Sequence, residues 1–230
     1  RDLVRSRGLG DVYKRQETVW RVYDRLGFGM ITSSGFPGEA SGVLNPPANW
    51  RQIEQATMAF GYGMAITPLQ LARAYAAVAN QGIMKPVSFV RVEQPVRGER
   101  VIDADAAKVM VRMLETVTNE GGTGLRARVA GYRVAGKTGT VKKVMTDGYT
   151  SEKYISVFAG IAPASNPRFA MVVTVDEPTG EDYYGGQVAA PVFSRVMGGA
   201  LRLFDIPPDN IEYDKTKLVL LHNAAAGEHP

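Results

Sequence analysis

Cysteine is absent from this 230-residue chain, which removes disulfides and thiolate metal sites from consideration. Histidine occurs twice, at His222 and His229, too isolated to form a metal site. No run approaches 18 consecutive apolar residues, so no membrane-spanning helix is encoded. The charged first residues are not followed by the apolar stretch of a signal peptide. A large charge excess is lacking too. The formal net charge is +4, but five Lys/Arg and two Asp fall within residues 1–16. The other 214 residues hold 22 basic and 21 acidic groups. A body so balanced gives no case for a nucleic-acid partner.

What is present fits one globular domain: 45% hydrophobic and 22% charged residues. Residues 1–16 show no helical or alternating pattern. Their string GLGDVYKRQ resembles read-through of a sequencing adapter, and the segment is taken as a non-native leader. From Glu17 the pattern is mixed. Trp20, Tyr23 and Leu26 share one side of a helix over 17–28 that Gly27 stops. A loop rich in Gly, Ser and Pro spans 31–50. Thr67-Pro68-Leu69-Gln70 opens a second helix, with Thr67 as cap, Pro68 at the first helical position and Gln70 closing a capping box. A third helix is expected over 103–119, burying Ala106, Met110, Met113, Leu114 and Val117. Three strands follow, at 132–144, 154–161 and 168–175, rich in β-branched and aromatic residues. Turns at Asp147-Gly148 and Asn166-Pro167 make them antiparallel hairpins. A last helix over 187–204 carries an apolar stripe from Val188 to Phe204, including Val196. Residues 211–230 are expected to form a tail. Helices, then sequential antiparallel strands, then a helix make an α+β fold.

The string Gly136-Lys137-Thr138-Gly139-Thr140 is the most informative, and it admits two functional readings beside the bland one of a surface strand with a lysine and two threonines. In one, Gly131 through Thr138 spells G-x-x-x-x-G-K-T, a P-loop for nucleotide phosphates, with Met171–Asp176 as an acidic strand end beside it. That reading needs a helix after Lys137-Thr138, whereas Gly139, Thr140 and Val141 favour a strand. In the other, Lys-Thr-Gly lies on a strand beside a cleft, as in serine acyl-transferases. Lys137 then offers a fixed ammonium to an acidic substrate terminus. Thr138 and Thr140, two apart, share one strand face and can bond one carboxylate. Gly139 lets a substrate backbone approach, and the Thr140 N–H can serve as an oxyanion donor. The backbone at 137–144, strand or helix, separates the two. The Gly121-Gly122-Thr123-Gly124 loop lacks phosphate-binding spacing and reads as a connection.

Longer strings add a resemblance. GYRVAGKTGT, FGYGMAITPLQLARAYAAVANQG and YYGGQVAAPVFSRVMGGALRLF together resemble the class B penicillin-binding proteins, above all their septal, cell-division branch. The likeness runs over about 17–210. It implies a five-stranded antiparallel sheet flanked by helices. It also implies D,D-transpeptidase chemistry on the D-Ala-D-Ala end of peptidoglycan stem peptides, with β-lactams acylating the same serine. Lys137 and Thr140 would act in catalysis. Thr138, Gly139, Thr140, Tyr154 and the Tyr183-Tyr184-Gly185-Gly186 loop would line the substrate cleft. No cofactor or metal is implied. The resemblance further implies a periplasmic domain whose membrane anchor, and whose contacts with membrane proteins of the division machinery, lie outside this chain. The family's S-x-x-K and S-x-N motifs are missing here: no serine has lysine three residues on or asparagine two on. The chain is therefore expected to be a C-terminal piece, inactive alone, because acyl transfer needs a nucleophile.

Overall fold

The computed structural model describes residues 17–50, 58, 61, 63–94, 96–145 and 148–210. The expected leader, the expected tail and Asp147 of the first turn lie outside the described residues.

Helix α1 covers 17–25, three residues shorter than its apolar pattern suggests. Gly27 takes a positive φ of 76°. Its N–H bonds Asp24 O, and the Phe28 N–H reaches back to Tyr23 O. These two bonds are a Schellman ending. The Tyr23 and Phe28 rings meet at 5.7 Å across it, and Leu26 and Phe28 then sink into a small core. Helix α2 (Pro68–Ala79) starts as its sequence directs. The Thr67 hydroxyl accepts from Gln70 N, and the Gln70 side chain accepts from Thr67 N. Gln70 is fully buried, and its amide donates to Met30 O at 2.6 Å and Ser41 O at 2.8 Å. One side chain thus closes the helix cap and fastens the preceding loop. Two short antiparallel pairs flank this part: β1 (Val43–Leu44) with β2 (Met64–Ala65), and β3 (Ile83–Met84) with β4 (Glu99–Arg100).

Helix α3 (Ala104–Glu115) is capped by Asp103, whose carboxylate accepts from Asp105 N and Ala106 N. It ends four residues before the expected boundary, passing into a 3-10 turn over Thr116–Thr118. Its inward face also differs from the expected one. Ala107 is buried, and Val111 and Leu114 pack on the sheet. Met110 and Met113 stay exposed. The spacing of four and three was right, but the face that meets the sheet is rotated by about one residue.

The main sheet has three antiparallel strands among the described residues, in order β5-β6-β7: β5 (Ala135–Met145), β6 (Gly148–Ala162) and β7 (Phe169–Asp176). The resemblance implied five strands. The sequence reading also started β5 three residues early, since Val129 and Tyr132 form an isolated bridge before it. Helix α4 (Gly185–Leu203) covers one face. There Phe158 and Phe193 meet edge-on at 4.7 Å, among Ala189, Met197 and Leu201. Val196 and Phe204, expected inside, are exposed on the far side of α4 and past its end. On the opposite face Ala135, Ile161 and Ala164 pack against Tyr75 and Ala79 of α2 and against Val111 and Leu114 of α3. The architecture is α+β, with helices on both faces of an antiparallel sheet. Among the described residues no helix is long and apolar enough to cross a membrane.

Candidate active site

Lys137, Thr138, Gly139 and Thr140 lie inside β5. No helix follows them, so the phosphate cradle of a P-loop is not formed and that reading falls. Asp176, the acid that might have served it, instead pairs with Lys143 at 3.0 Å.

The strand's position decides what it can present. β5 is an edge of the sheet. Glu177 N donates to Tyr154 O at 2.9 Å, which extends the β6–β7 ladder and sets its phase. Bonding direction alternates along a strand. Residues 155, 157, 159 and 161 of β6 therefore turn their main-chain groups to β5, where the register opposes them to Val141, Gly139, Lys137 and Ala135. The N–H and C=O groups of Thr138 and Thr140 are left facing the open edge.

The side chains alternate between faces as well. Thr138 and Thr140 point to the α4 face and line a groove of about 400 Å³, together with Thr123, Leu125, Arg126 and the Tyr184–Gln187 segment. Gly185, the first residue of α4, donates its N–H to Thr140 Oγ1 at 3.0 Å. A Cβ there would lie 2.3 Å from Val157 O and 2.4 Å from Gly139 O. Only glycine lets the helix start this close to the strand. The groove thus meets the N-terminus of a 19-residue helix whose N-cap residue, Tyr184, makes no side-chain cap bond, and this helix end carries partial positive charge. Arg126 is the charged residue in its lining.

Five of the residues singled out from the sequence come together in this groove: Thr138, Thr140, Tyr184, Gly185 and Gly186. Four do not line it. Lys137 and Gly139 fall on the opposite pleat, the face of Ala135. The Lys137 ammonium nonetheless curls round the edge to Thr138 O at 2.9 Å and Thr138 Oγ1 at 3.2 Å. Tyr154 and Tyr183 stack on each other behind the groove, rings 4.2 Å apart and 17° from parallel. Ser156 Oγ donates to Tyr183 O and fixes that stack to the sheet. Tyr183 also donates to the Tyr184 hydroxyl at 3.1 Å. That bond, with the neighbouring Tyr184 charge, pushes its phenol up to about 12.

Thr123, Leu125, Arg126 and Gln187 escaped the sequence reading. Thr123 is no mere connection: its hydroxyl meets that of Thr138 at 2.9 Å. A Cβ on Gly186 would lie 2.2 Å from Thr123 O. The loop is therefore clamped between strand and helix. Its spacing held no signal for this, since the contact is made across 15 residues.

Residues 15–198 match the penicillin binding protein transpeptidase domain. The chain belongs to that family. This transpeptidase domain is 47% identical to peptidoglycan D,D-transpeptidase FtsI of Escherichia coli K12, over 90% of the chain and 35% of the relative. It is 45% identical to the probable peptidoglycan D,D-transpeptidase PenA of Neisseria meningitidis serogroup A, over 84% of the chain and 33% of the relative. Among solved structures it resembles the apo transpeptidase domain of Burkholderia pseudomallei penicillin-binding protein 3. That likeness has a TM-score of 0.79 and 45% identity, covering 84% of this chain and 59% of the other. The chain spans about a third of the length of these curated relatives.

Proposed function

We propose that this chain forms one wall of the active site of a serine-type peptidoglycan D,D-transpeptidase that cross-links stem peptides during cell division. The carrying observation is the open edge of β5, where Thr138 and Thr140 face the start of α4, Thr140 accepting its first N–H, and the Lys137 ammonium reaches the rim. Everything there favours a negative oxygen. The two hydroxyls and the helix N-terminus would hold the terminal carboxylate of a D-Ala-D-Ala stem, or the carboxylate of a β-lactam. Lys137 would add a charge-assisted bond. The outward Thr140 N–H would donate to the oxyanion as the carbonyl becomes tetrahedral. The substrate backbone would run along the open edge beside Gly139, where a Cβ would meet nothing closer than Val157 Cβ at 3.6 Å. Packing among the described residues does not require glycine at 139, and its lack of a side chain would leave the strand edge open to a substrate chain. Tyr184 would add an aromatic wall, with Tyr154 and Tyr183 stiffening it from behind.

No serine here stands in S-x-x-K. The nucleophile and its base would come from the part of the relatives' polypeptide that this chain does not span. So would the membrane anchor of a periplasmic enzyme and the contacts with other division proteins. The test is covalent labelling with a fluorescent penicillin. The chain alone should give no denaturation-resistant band. A polypeptide of the relatives' full length carrying these residues should give one. Stoichiometric labelling of the chain alone would contradict the division of roles.

A further inference from the structure

Away from the groove, a recess of about 610 Å³ opens between the end of α1 and the β3–β4 pair. Four arginines line it, Arg25, Arg73, Arg97 and Arg100, with one acidic residue, Glu99. Their bonds go to main-chain carbonyls. Arg25 donates to Val101 O, Arg73 to Lys85 O at 3.4 Å, and Arg100 to Gln81 O at 2.8 Å and Ile102 O at 3.3 Å. Arg97 makes no hydrogen bond among the described residues, and no ion pair there reaches any of the four. Asp103 lies within electrostatic reach of Arg100, but its carboxylate is engaged in capping α3. A guanidinium has five donors in a planar fork. Most of those around this recess find no acceptor among the described residues, and no ion pair there offsets their charge.

A second feature adjoins it. The loop between β3 and β4 leaves the recess at Pro86 and returns at Arg97. Along it Phe89 is 66% exposed and Val90 77%. Phe36, itself 65% exposed, meets the Phe89 ring at 5.9 Å. Exposed apolar patches beside a concentrated charge mark interaction surfaces.

We infer that the recess and this loop together dock an acidic segment of a protein partner. Its carboxylates sit among the four guanidiniums, and an apolar side chain rests on Phe36 and Phe89. Charge complementarity selects the acidic partner. The concavity of the recess keeps its guanidiniums from a flat bilayer. The apolar loop has no counterpart in a phosphate backbone.

The test titrates a fluorescein-labelled hexapeptide, Glu-Glu-Phe-Leu-Glu-Glu, with the full chain and follows anisotropy. The peptide binds, and its all-Gln counterpart binds at least about tenfold more weakly, the scale of one lost charge-assisted bond. Arg97→Glu weakens binding by about tenfold or more on the same scale. Arg97 supports no other group among the described residues, so this variant keeps the circular dichroism spectrum and Tm. Phe89→Ser weakens binding severalfold. Several results overturn the inference: no binding, equal binding of the Gln peptide, or unchanged binding by Arg97→Glu. Tighter binding to phosphatidylglycerol vesicles or to a short DNA duplex than to the peptide also overturns it.

Discussion

Gly185→Ala is the substitution whose consequence the structure specifies most fully. A Cβ at this position would stand 2.3 Å from Val157 O and 2.4 Å from Gly139 O, where ordinary contact begins near 3.4 Å. Both obstacles are main-chain oxygens of the sheet and cannot rotate aside. The start of α4 must back away by about 1 Å, which is overpacking and costs about 1–3 kcal/mol. The Gly185 N–H to Thr140 Oγ1 bond, now 3.0 Å, is stretched or lost, for about 0.5–1.5 kcal/mol more. Together these correspond to a Tm lower by roughly 3–18 °C for a chain of this size. Gly199, in the same helix, supplies the control. A Cβ there meets nothing within 4 Å, so Gly199→Ala should gain about 0.5–1 kcal/mol from reduced backbone entropy. Differential scanning calorimetry on the two variants reads the contrast. Shifts in the same direction would refute the claim that glycine at 185 is required by close approach rather than tolerated in a helix.

Gln70→Leu should destabilise by about 3–5 kcal/mol, since it strands the Thr67 N–H and the carbonyls of Met30 and Ser41, each orphan costing about 1–3 kcal/mol before relaxation. Denaturant unfolding measures it, and a loss below about 1 kcal/mol would show that water replaces the amide. Glu39 gives a pH dependence. Its carboxylate accepts from Thr32 N at 2.5 Å and from Ser34 N and Oγ at 3.3 and 2.9 Å. Hydrogen bonds led by Thr32 lower its carboxyl from 4.5 to about 2. A carboxyl depressed in the fold stabilises it above the unfolded value and loses that contribution as protons bind. The protection factors of the Thr32 and Ser34 amides, each rate taken relative to its intrinsic value at the same pH, should therefore hold above pH 4.5 and fall as the pH drops towards 2, with no such step in a Glu39→Gln variant.

What could be read without coordinates was local. The capping box at Thr67 and Gln70, the glycine stop at Gly27 and the β-branched run through Thr140 and Val141 each depend on residues within a turn or two. The Lys-Thr-Gly strand was legible for that reason, and so was the shared face of Thr138 and Thr140. Contacts set by the docking of elements were not legible. Met110 and Met113 look as inward as Leu114 on a helical wheel, and only the rotation of α3 about its axis against the sheet exposes them. Thr123 carries no mark of its bond to Thr138. The pleat that sends Lys137 to the opposite face was implicit in the two-residue spacing. Its return round the edge depends on β5 having an unpaired side, a property of the sheet and not of the string.

The central claim is that the open edge of β5 binds the carboxylate that orients the acyl group. Lys137→Ala tests it most directly, made in a polypeptide of the relatives' full length. The Lys137 side chain is exposed and among the described residues bonds only Thr138, so its removal should change Tm little, as surface substitutions do. The ammonium's charge-assisted bond is worth about 1.5–3 kcal/mol, or roughly ten- to hundredfold in rate if it is made in the transition state. Stopped-flow acylation by a fluorescent penicillin should slow by that factor while the melting curve stays in place. An unchanged acylation rate would remove Lys137 from the active site and contradict the account.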